Sequence, residues 1–265
     1  MDIILIFKTI IMGIVEGATE FLPVSSTGHL IITGDVLDFL TKEKRDVFEI
    51  VIQLGAILAV VWQYRQRFTH VAVSLNQSKS QQFVMNLFIA FLPLAIIGLA
   101  FHSQIKELLF NPKSVAIALI VGGFIILLIE KRLPKVVVND VDEMNWKHAL
   151  KVGFAQAIAL IPGASRAGST IIGGMLFGLS RTVATEFSFF LAVPVMFAAT
   201  AYDLFKSRDL LSADDLMIFF IGFVTAFIAA LVVIKVLIRF VQNNDFTIFA
   251  WYRIVFGAVV LLYYW

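Results

Sequence analysis

Between Glu16 and Leu30 the chain reads EGATEFLPVSSTGHL, placing two carboxylates, three consecutive hydroxyls and a histidine inside otherwise apolar sequence. The 265 residues are 60% hydrophobic and only 15% charged, with a mean hydropathy of +0.91. A soluble domain of this size is closer to about half apolar and a quarter charged. The chain therefore reads as a polytopic integral membrane protein. At bilayer depth, ionisable side chains are costly and mark a pathway or a reactive site. The formal charge of +2 is too small to suggest nucleic acid as a partner, and with no cysteine there is no thiolate or cysteine metal site. The N-terminal run MDIILIFKTIIMGIVEG has an acidic second residue and leads straight into the polar stretch without a small-residue cleavage site, so it does not read as a cleaved signal.

Six apolar runs are long enough to cross a bilayer as helices: about 47–64, 83–101, 115–131, 186–205, 216–238 and 247–265. Two further apolar regions, about 3–40 and 146–180, are broken near their middles by Pro23-Val-Ser-Ser-Thr-Gly-His29 and Pro162-Gly-Ala-Ser-Arg-Ala-Gly168. Non-helical backbone at membrane depth survives only where protein or a watery cavity satisfies its polar groups. Each broken region is therefore read as a re-entrant helix hairpin that enters and leaves on one side. The competing reading is a pair of spanning helices with a polar kink.

The halves repeat. At an offset of 139, Pro23 aligns with Pro162, Ser26 with Ser165, Thr27 with Arg166, and Phe48 with Phe187. Val121-Gly122-Gly123 corresponds loosely to Phe256-Gly257-Ala258. A single membrane domain, 1–265, thus divides into repeat one (about 1–131) and repeat two (about 140–265), each with one hairpin and three spans. Three is odd, so the second repeat lies inverted relative to the first, as in many transporters whose sites lie at the repeat interface. The fold class expected is all-α. Loop lysines and arginines divide modestly, with Arg65, Arg67, Lys131, Arg132, Lys147 and Arg181 among those on one side. Lys8, Lys42, Arg45, Lys106, Lys113 and Arg208 are among the fewer on the other. The richer side is expected to be cytoplasmic, which puts both termini and the Glu16–His29 hairpin entrance outside.

Glu16 and Glu20 are one helical turn apart and share a face. Two carboxylates in a low-dielectric site need a shared proton or a cation, and a divalent ion shared with a phosphate is the usual Mg²⁺ arrangement. One of Ser25, Ser26 and Thr27 is explained as a helix cap. Three together at a helix start suggest an anion site instead, where free N–H groups meet a positive dipole end. His29 lies three residues beyond Ser26, within reach of that hydroxyl or of the group it attacks. In the second stretch, Gly163 and Gly168 allow close approach of backbone to a ligand. Ser165 and Thr170 supply hydroxyls, and Arg166 a guanidinium suited to bidentate phosphate recognition. An ion pair from Arg166 to Glu16 or Glu20 is the plainer alternative and still puts Arg166 at the site. Glu49, Gln53, Glu186, Asp203 and Arg253 are further membrane-depth polar residues whose roles as helix glue or site support the sequence does not separate.

These motifs closely resemble those of the undecaprenyl-diphosphate phosphatases, the bacitracin-resistance family of bacterial membranes. The family carries an ExxxE, a PVSSTGH and a PGxSRSGxT segment. Here they read Glu16-Gly-Ala-Thr-Glu20, Pro23-Val-Ser-Ser-Thr-Gly-His29 and Pro162-Gly-Ala-Ser-Arg-Ala-Gly-Ser-Thr170. FEIVIQLGAILAVV and EFSFFLAVPVMFAAT also look like family blocks, so the likeness runs nearly end to end. One departure is Ala167, where the family pattern has serine, and position 167 is not counted in the site.

The resemblance implies removal of the terminal phosphate from undecaprenyl diphosphate at the outer face of the cytoplasmic membrane, with a divalent cation (Mg²⁺ or Ca²⁺). Recycling of the lipid carrier for peptidoglycan synthesis and resistance to bacitracin would follow, and a homo-oligomer is compatible with it. The expected mechanism has Arg166 and free N–H groups of the turns gripping the diphosphate, with Ser25, Thr27, Ser165, Gly163, Gly168 and Thr170 around it. A cation on Glu16 and Glu20 neutralises charge, Ser26 attacks in line, and Glu20 or His29 takes its proton. The rival assignment makes His29 the nucleophile. A transporter or flippase of a polyprenyl phosphate lipid is the alternative from another class, since inverted repeats are transporter hardware. A PSGH-type acid phosphatase does not fit, because Ser180-Arg181 is followed by Thr-Val-Ala-Thr-Glu-Phe without histidine.

Overall fold

A computed structural model describes residues 2–109, 111–206 and 215–265, with backbone alone over 102–109. The side chain of Lys106, and Arg208, both used above for orientation, lie outside the described residues. Eleven α-helices run along the described chain, and no strand occurs among its residues; Val138 and Leu179 form one isolated parallel bridge.

Both broken regions are broken where the sequence places the proline and hydroxyls. Helix α1 (Ile3–Thr19) starts from Asp2, whose side chain accepts from the Ile4 N–H at 3.0 Å, and α2 (Ser26–Val36) starts after the turn at 20–25. In the second half, α7 (Trp146–Ala157) is closed by an Asn145–His148 capping box and passes through a 3₁₀ turn at Ile158–Leu160. After the turn comes α8 (Arg166–Leu176). Each turn ends on a serine with positive φ, Ser25 at 70° and Ser165 at 73°, immediately before the second helix. This corrects the alignment read from sequence: Ser25 is the structural counterpart of Ser165, so Ser26 matches Arg166 and the local offset is 140. Matching proline to proline misplaces the register by one, because the two turns distribute their residues differently.

The longer helices are α3 (Lys42–Gln63), α5 (Ser78–Leu109), α6 (Pro112–Glu130), α9 (Arg181–Lys206), α10 (Leu216–Asn243) and α11 (Thr247–Tyr263). Five of them, α3, α5, α6, α9 and α10, are long and apolar enough to cross a membrane. The sixth expected span, α11, has 17 residues, about 26 Å of helix against a hydrocarbon core of about 30 Å. A short helix, α4 (Arg65–Val73), follows α3 where the sequence reading has a loop carrying Arg65 and Arg67.

The two halves lend each other a partner: α1 packs along α10, and α7 along α5. Glycines set these distances. A Cβ on Gly17 would lie 2.3 Å from the Ala226 carbonyl of α10, and one on Gly153 would lie 2.6 Å from the Ala90 carbonyl of α5. Helices α6 and α11 meet in the same way, Gly123 against the Ala250 carbonyl and Gly257 against the Ala116 carbonyl. Without a hydrophobic drive between helices in lipid, such close backbone approach is how they gain packing energy. Outside the apolar body, Arg67 holds Asp142 with both terminal nitrogens, Lys44 pairs with Asp215 at 2.8 Å, and Arg181 with Glu130 at 2.5 Å.

Candidate active site

The turn of the first half and the start of α8 meet at Glu20. Its Oε2 accepts from the Ser26 hydroxyl at 2.6 Å, and its Oε1 accepts from Arg166 Nη2 at 3.0 Å. Ser26 is the first residue of α2 and Arg166 the first of α8, so one carboxylate joins both helix starts. All three side chains are largely buried, with Glu20 6% exposed. A short bond from a hydroxyl to a carboxylate is the arrangement that lets a base take a proton as the oxygen attacks. Breaking one half of a buried ion pair leaves the other charge uncompensated and typically costs about 3–5 kcal/mol.

Arg166 is held on its far side by a residue the sequence reading did not single out. Its Nη1 donates to the Ser188 carbonyl at 3.0 Å and to the Ser188 hydroxyl at 3.2 Å. Its Nη2 also lies 3.6 Å from Met196 Sδ, and the guanidinium sits over the Phe21 ring. Ser188 in turn bonds Thr170 Oγ1 at 2.6 Å, and Thr170 donates to the carbonyls of Arg166 and Ala167. Thr170 is fully buried, so it braces Arg166 from behind and is not a ligand contact. The Arg166 Nε–H is left without a partner.

Several expected roles change. His29 does not reach Ser26: its Nδ1 lies 2.7 Å from the Ser25 carbonyl and its Nε2 lies 2.6 Å from the Tyr252 hydroxyl. A carbonyl only accepts, so Nδ1 carries the proton, and neither nitrogen is free to serve as the base for Ser26. Gly163 and Gly168 lack side chains because of protein, not ligand. A Cβ on Gly163 (φ +90°) would sit 2.5 Å from the Val115 carbonyl, and one on Gly168 would press on Arg253 and Ser165 at 3.2 Å. Ser165 uses its hydroxyl within the protein, capping Gly168 N–H at 3.0 Å and donating to the Leu22 carbonyl of the first turn at 3.5 Å. Ser25 makes no such cap, and Thr27, half-buried, makes no side-chain hydrogen bond among the described residues. The N–H groups opening α2 are thereby left without a side-chain cap. Ala167 is fully buried, so the departure from the family serine removes no exposed hydroxyl.

Glu16 is 1% exposed, and both its carboxylate oxygens lack a partner. Glu20 and Glu49 are its acidic neighbours and Arg166 its basic one. No set of three acidic or histidine side chains gathers as metal ligands among the described residues. An orphaned carboxylate beside a second one fits a cation that takes its remaining ligands from water and substrate oxygens, as Mg²⁺ commonly does.

Arg253 is the residue that ties the two turns together, and it is 1% exposed on α11. Nε donates to the Leu119 carbonyl at 3.3 Å. Nη1 donates to Pro23 (3.1 Å) and Ala164 (3.0 Å), and Nη2 to Ala118 (3.2 Å) and Gly163 (3.0 Å). All five N–H donors of the guanidinium are used, each on a backbone carbonyl. Carbonyls stranded by the two non-helical turns thus gain donors inside the protein, as buried backbone requires.

A family model described as "Bacitracin resistance protein BacA" matches residues 9–259. The chain belongs to this family. Among curated relatives, the Undecaprenyl-diphosphatase of Methylobacillus flagellatus is 59% identical over 270 residues, covering 100% of both chains. That of Nitrosospira multiformis is 60% identical over 263 residues, covering 99% of this chain and 96% of its own. The Undecaprenyl-diphosphatase 2 of Rhodospirillum rubrum is 58% identical, covering 100% and 97%. Every site residue of this family member named above lies inside the matched region.

Proposed function

We propose that this member of the bacitracin-resistance family is an undecaprenyl-diphosphatase, releasing inorganic phosphate from undecaprenyl diphosphate to leave the monophosphate. Near-full-length identity to relatives of that name supports the activity. The observation that carries it on this chain's own residues is the Ser26–Glu20–Arg166 contact, a hydroxyl, a base and a cation joined across two helix starts.

Ser26 Oγ attacks the terminal phosphorus as its proton passes to Glu20 Oε2. The bond from that phosphorus to the bridging oxygen breaks, undecaprenyl phosphate departs, and a phosphoserine remains. Glu20 gives up that proton to the departing phosphate. Water then attacks the phosphoserine, losing a proton to Glu20; the bond from phosphorus to Ser26 Oγ breaks, inorganic phosphate leaves, and Glu20 returns the proton to Oγ. Arg166 offers its unpartnered Nε–H to a phosphate oxygen, and the open N–H groups of α2 face the same charge. Positioning and electrostatics of this kind account for most of phosphoryl-transfer catalysis. Glu16, with Glu20, would hold the divalent cation, which when bound neutralises charge on the diphosphate. His29 takes no proton in this scheme, because its nitrogens are committed to Ser25 and Tyr252.

The surrounding architecture reads as six spans and two re-entrant hairpins in an inverted repeat within the bacterial cytoplasmic membrane. The twin positive-φ serines and the exchange of partners, α1 with α10 and α7 with α5, support it. The apolar flanks of the helices suit a polyprenyl tail in lipid, and the site is expected to open to the periplasmic or outer side. The test is phosphate release from undecaprenyl diphosphate by purified protein, with and without chelator, beside Ser26→Ala and Arg166→Ala. Release that depends on cation and is lost in both variants is the expected result. A folded wild type without release, across several prenyl lengths and cations, would leave lipid transport as the better account.

A further inference from the structure

The two turns end on serines of the same unusual backbone conformation but are braced differently. Ser165 caps its own turn through its hydroxyl on Gly168 N–H and reaches across to the Leu22 carbonyl of the first. Ser25, at φ 70° and ψ 97°, has no side-chain cap. A non-glycine residue keeps positive φ only when its surroundings over-determine it. At Ser25 the brace is the carbonyl, which accepts from His29 Nδ1–H at 2.7 Å. That brace needs a proton on Nδ1, since a bare nitrogen would set a lone pair against the carbonyl oxygen. The carbonyl on Nδ1 sets the tautomer and leaves Nε2 as an acceptor that needs a donor.

The second nitrogen meets the Tyr252 hydroxyl at 2.6 Å. With Nδ1 protonated, Nε2 accepts and the tyrosine O–H donates. The imidazole is also clamped in plane, stacked on Phe256 at 4.1 Å and 11° between planes. Tyr252, Arg253 and Phe256 all come from α11, so one helix supplies the braces of the first turn.

We propose that Tyr252 is a positioning residue for the phosphatase site: its hydroxyl donates to Nε2 and anchors the His29 ring, whose Nδ1–H holds the Ser25 turn that aims Ser26 Oγ at Glu20. The inference rests on the phosphatase reading, in which Ser26 is the attacking group. It accounts for a histidine inside the motif that touches neither Ser26 nor Glu20. Tyr252 touches no reacting atom itself. Its ring is 44% exposed, so loss of the hydroxyl alone leaves packing nearly untouched.

The test uses full-length protein carrying Tyr252→Phe, with Tyr252→Leu as the variant that also loses the ring. Two readouts are made, steady-state kinetics on undecaprenyl diphosphate and ¹⁵N NMR of histidine-labelled protein in detergent, with His29 assigned by His29→Gln. Wild type is expected to show a protonated Nδ1 and an accepting Nε2. In Tyr252→Phe the Nε2 resonance should move by several ppm as it loses its donor, with kcat lower by roughly ten-fold and KM within about two-fold. Tyr252→Leu should lose at least as much kcat. An unchanged His29 spectrum in Tyr252→Phe overturns the inference even if kcat falls, and so does unchanged kcat with a shifted spectrum. Wild type without phosphate release would instead count against the phosphatase reading, while the NMR comparison would still report on the Tyr252–His29 hydrogen bond.

Discussion

Replacing Arg253 with lysine keeps the charge and removes the fork. In the structure five N–H groups of Arg253 serve five carbonyls, two on α6 and three in the two turns. An ammonium has three donors radiating from one point, so at least two of those carbonyls lose their partner. A hydrogen bond from a charged donor contributes about 1.5–3 kcal/mol, which gives a loss of roughly 3–6 kcal/mol. For a chain of this size that corresponds to a fall in melting temperature on the order of 10 °C. The carbonyls most exposed to the loss are Pro23, Gly163 and Ala164, because Ala118 and Leu119 lie within a helix. The two turns should therefore drift apart while the helices persist. A displacement of about 1 Å between Ser26 and Arg166 is worth about a hundred-fold in rate, so kcat/KM should drop by more than the protein unfolds. The assay is thermal unfolding in detergent, followed by phosphate release measured well below the midpoint. An Arg253→Lys protein melting within about 2 °C of wild type, with unchanged kcat/KM, would refute the five-carbonyl account.

Ser26→Ala should lower kcat by about 10⁴-fold or more, as loss of a nucleophile does, while phosphate analogues still bind; substantial residual turnover would point to direct water attack. His29→Gln, which can still donate to the Ser25 carbonyl, should retain measurable turnover, whereas a nucleophilic or base histidine would leave none. Glu16→Gln should raise the cation concentration needed for half-maximal activity, read by titrating Mg²⁺ or Ca²⁺ after chelation, and an unchanged requirement would remove Glu16 as a ligand. Outside the membrane, the Arg67 hydrogen bonds hold the Asp142 carboxyl below its ordinary value of 3.8. Asp142 is the depressed-acid case: its stabilisation is present above the ordinary value and is lost as pH falls through the lower folded-state value. Asp142→Asn should therefore flatten the acid limb of thermal stability below about pH 4, and an identical limb in both proteins would show that the contact is idle.

Much of the site was legible because it is written in short-range chemistry. Proline, glycine and serine in an apolar run mark a break wherever they fall, so both turns appear where the sequence puts them. Glu20, Ser26 and Arg166 stand out as polar residues at those breaks. What failed was direction and register. Aligning Pro23 with Pro162 shifted the serines by one, since identity of residues says nothing of how many a turn consumes. His29 seemed to point forward to Ser26, yet it bonds back to the carbonyl four residues earlier, within its own helix. Ser188 was hidden in EFSFF, where a lone hydroxyl looks like helix filler. Arg253 was noticed, but its partners lie some 90 to 230 residues away and are backbone atoms, which leave no side-chain pattern to read. The available signal was its place in an apolar helix with no acid near enough in sequence to pair with it.

Phosphorylation of Ser26 during turnover is best examined by trapping the intermediate. Wild-type protein mixed with excess undecaprenyl diphosphate would be quenched within the first turnover and mapped by mass spectrometry under conditions that preserve both ester and phosphoramidate linkages. Phosphate on Ser26, absent from Ser26→Ala and from Arg166→Ala, is the predicted result. Phosphate on His29 would contradict it and return the nucleophilic role to the imidazole.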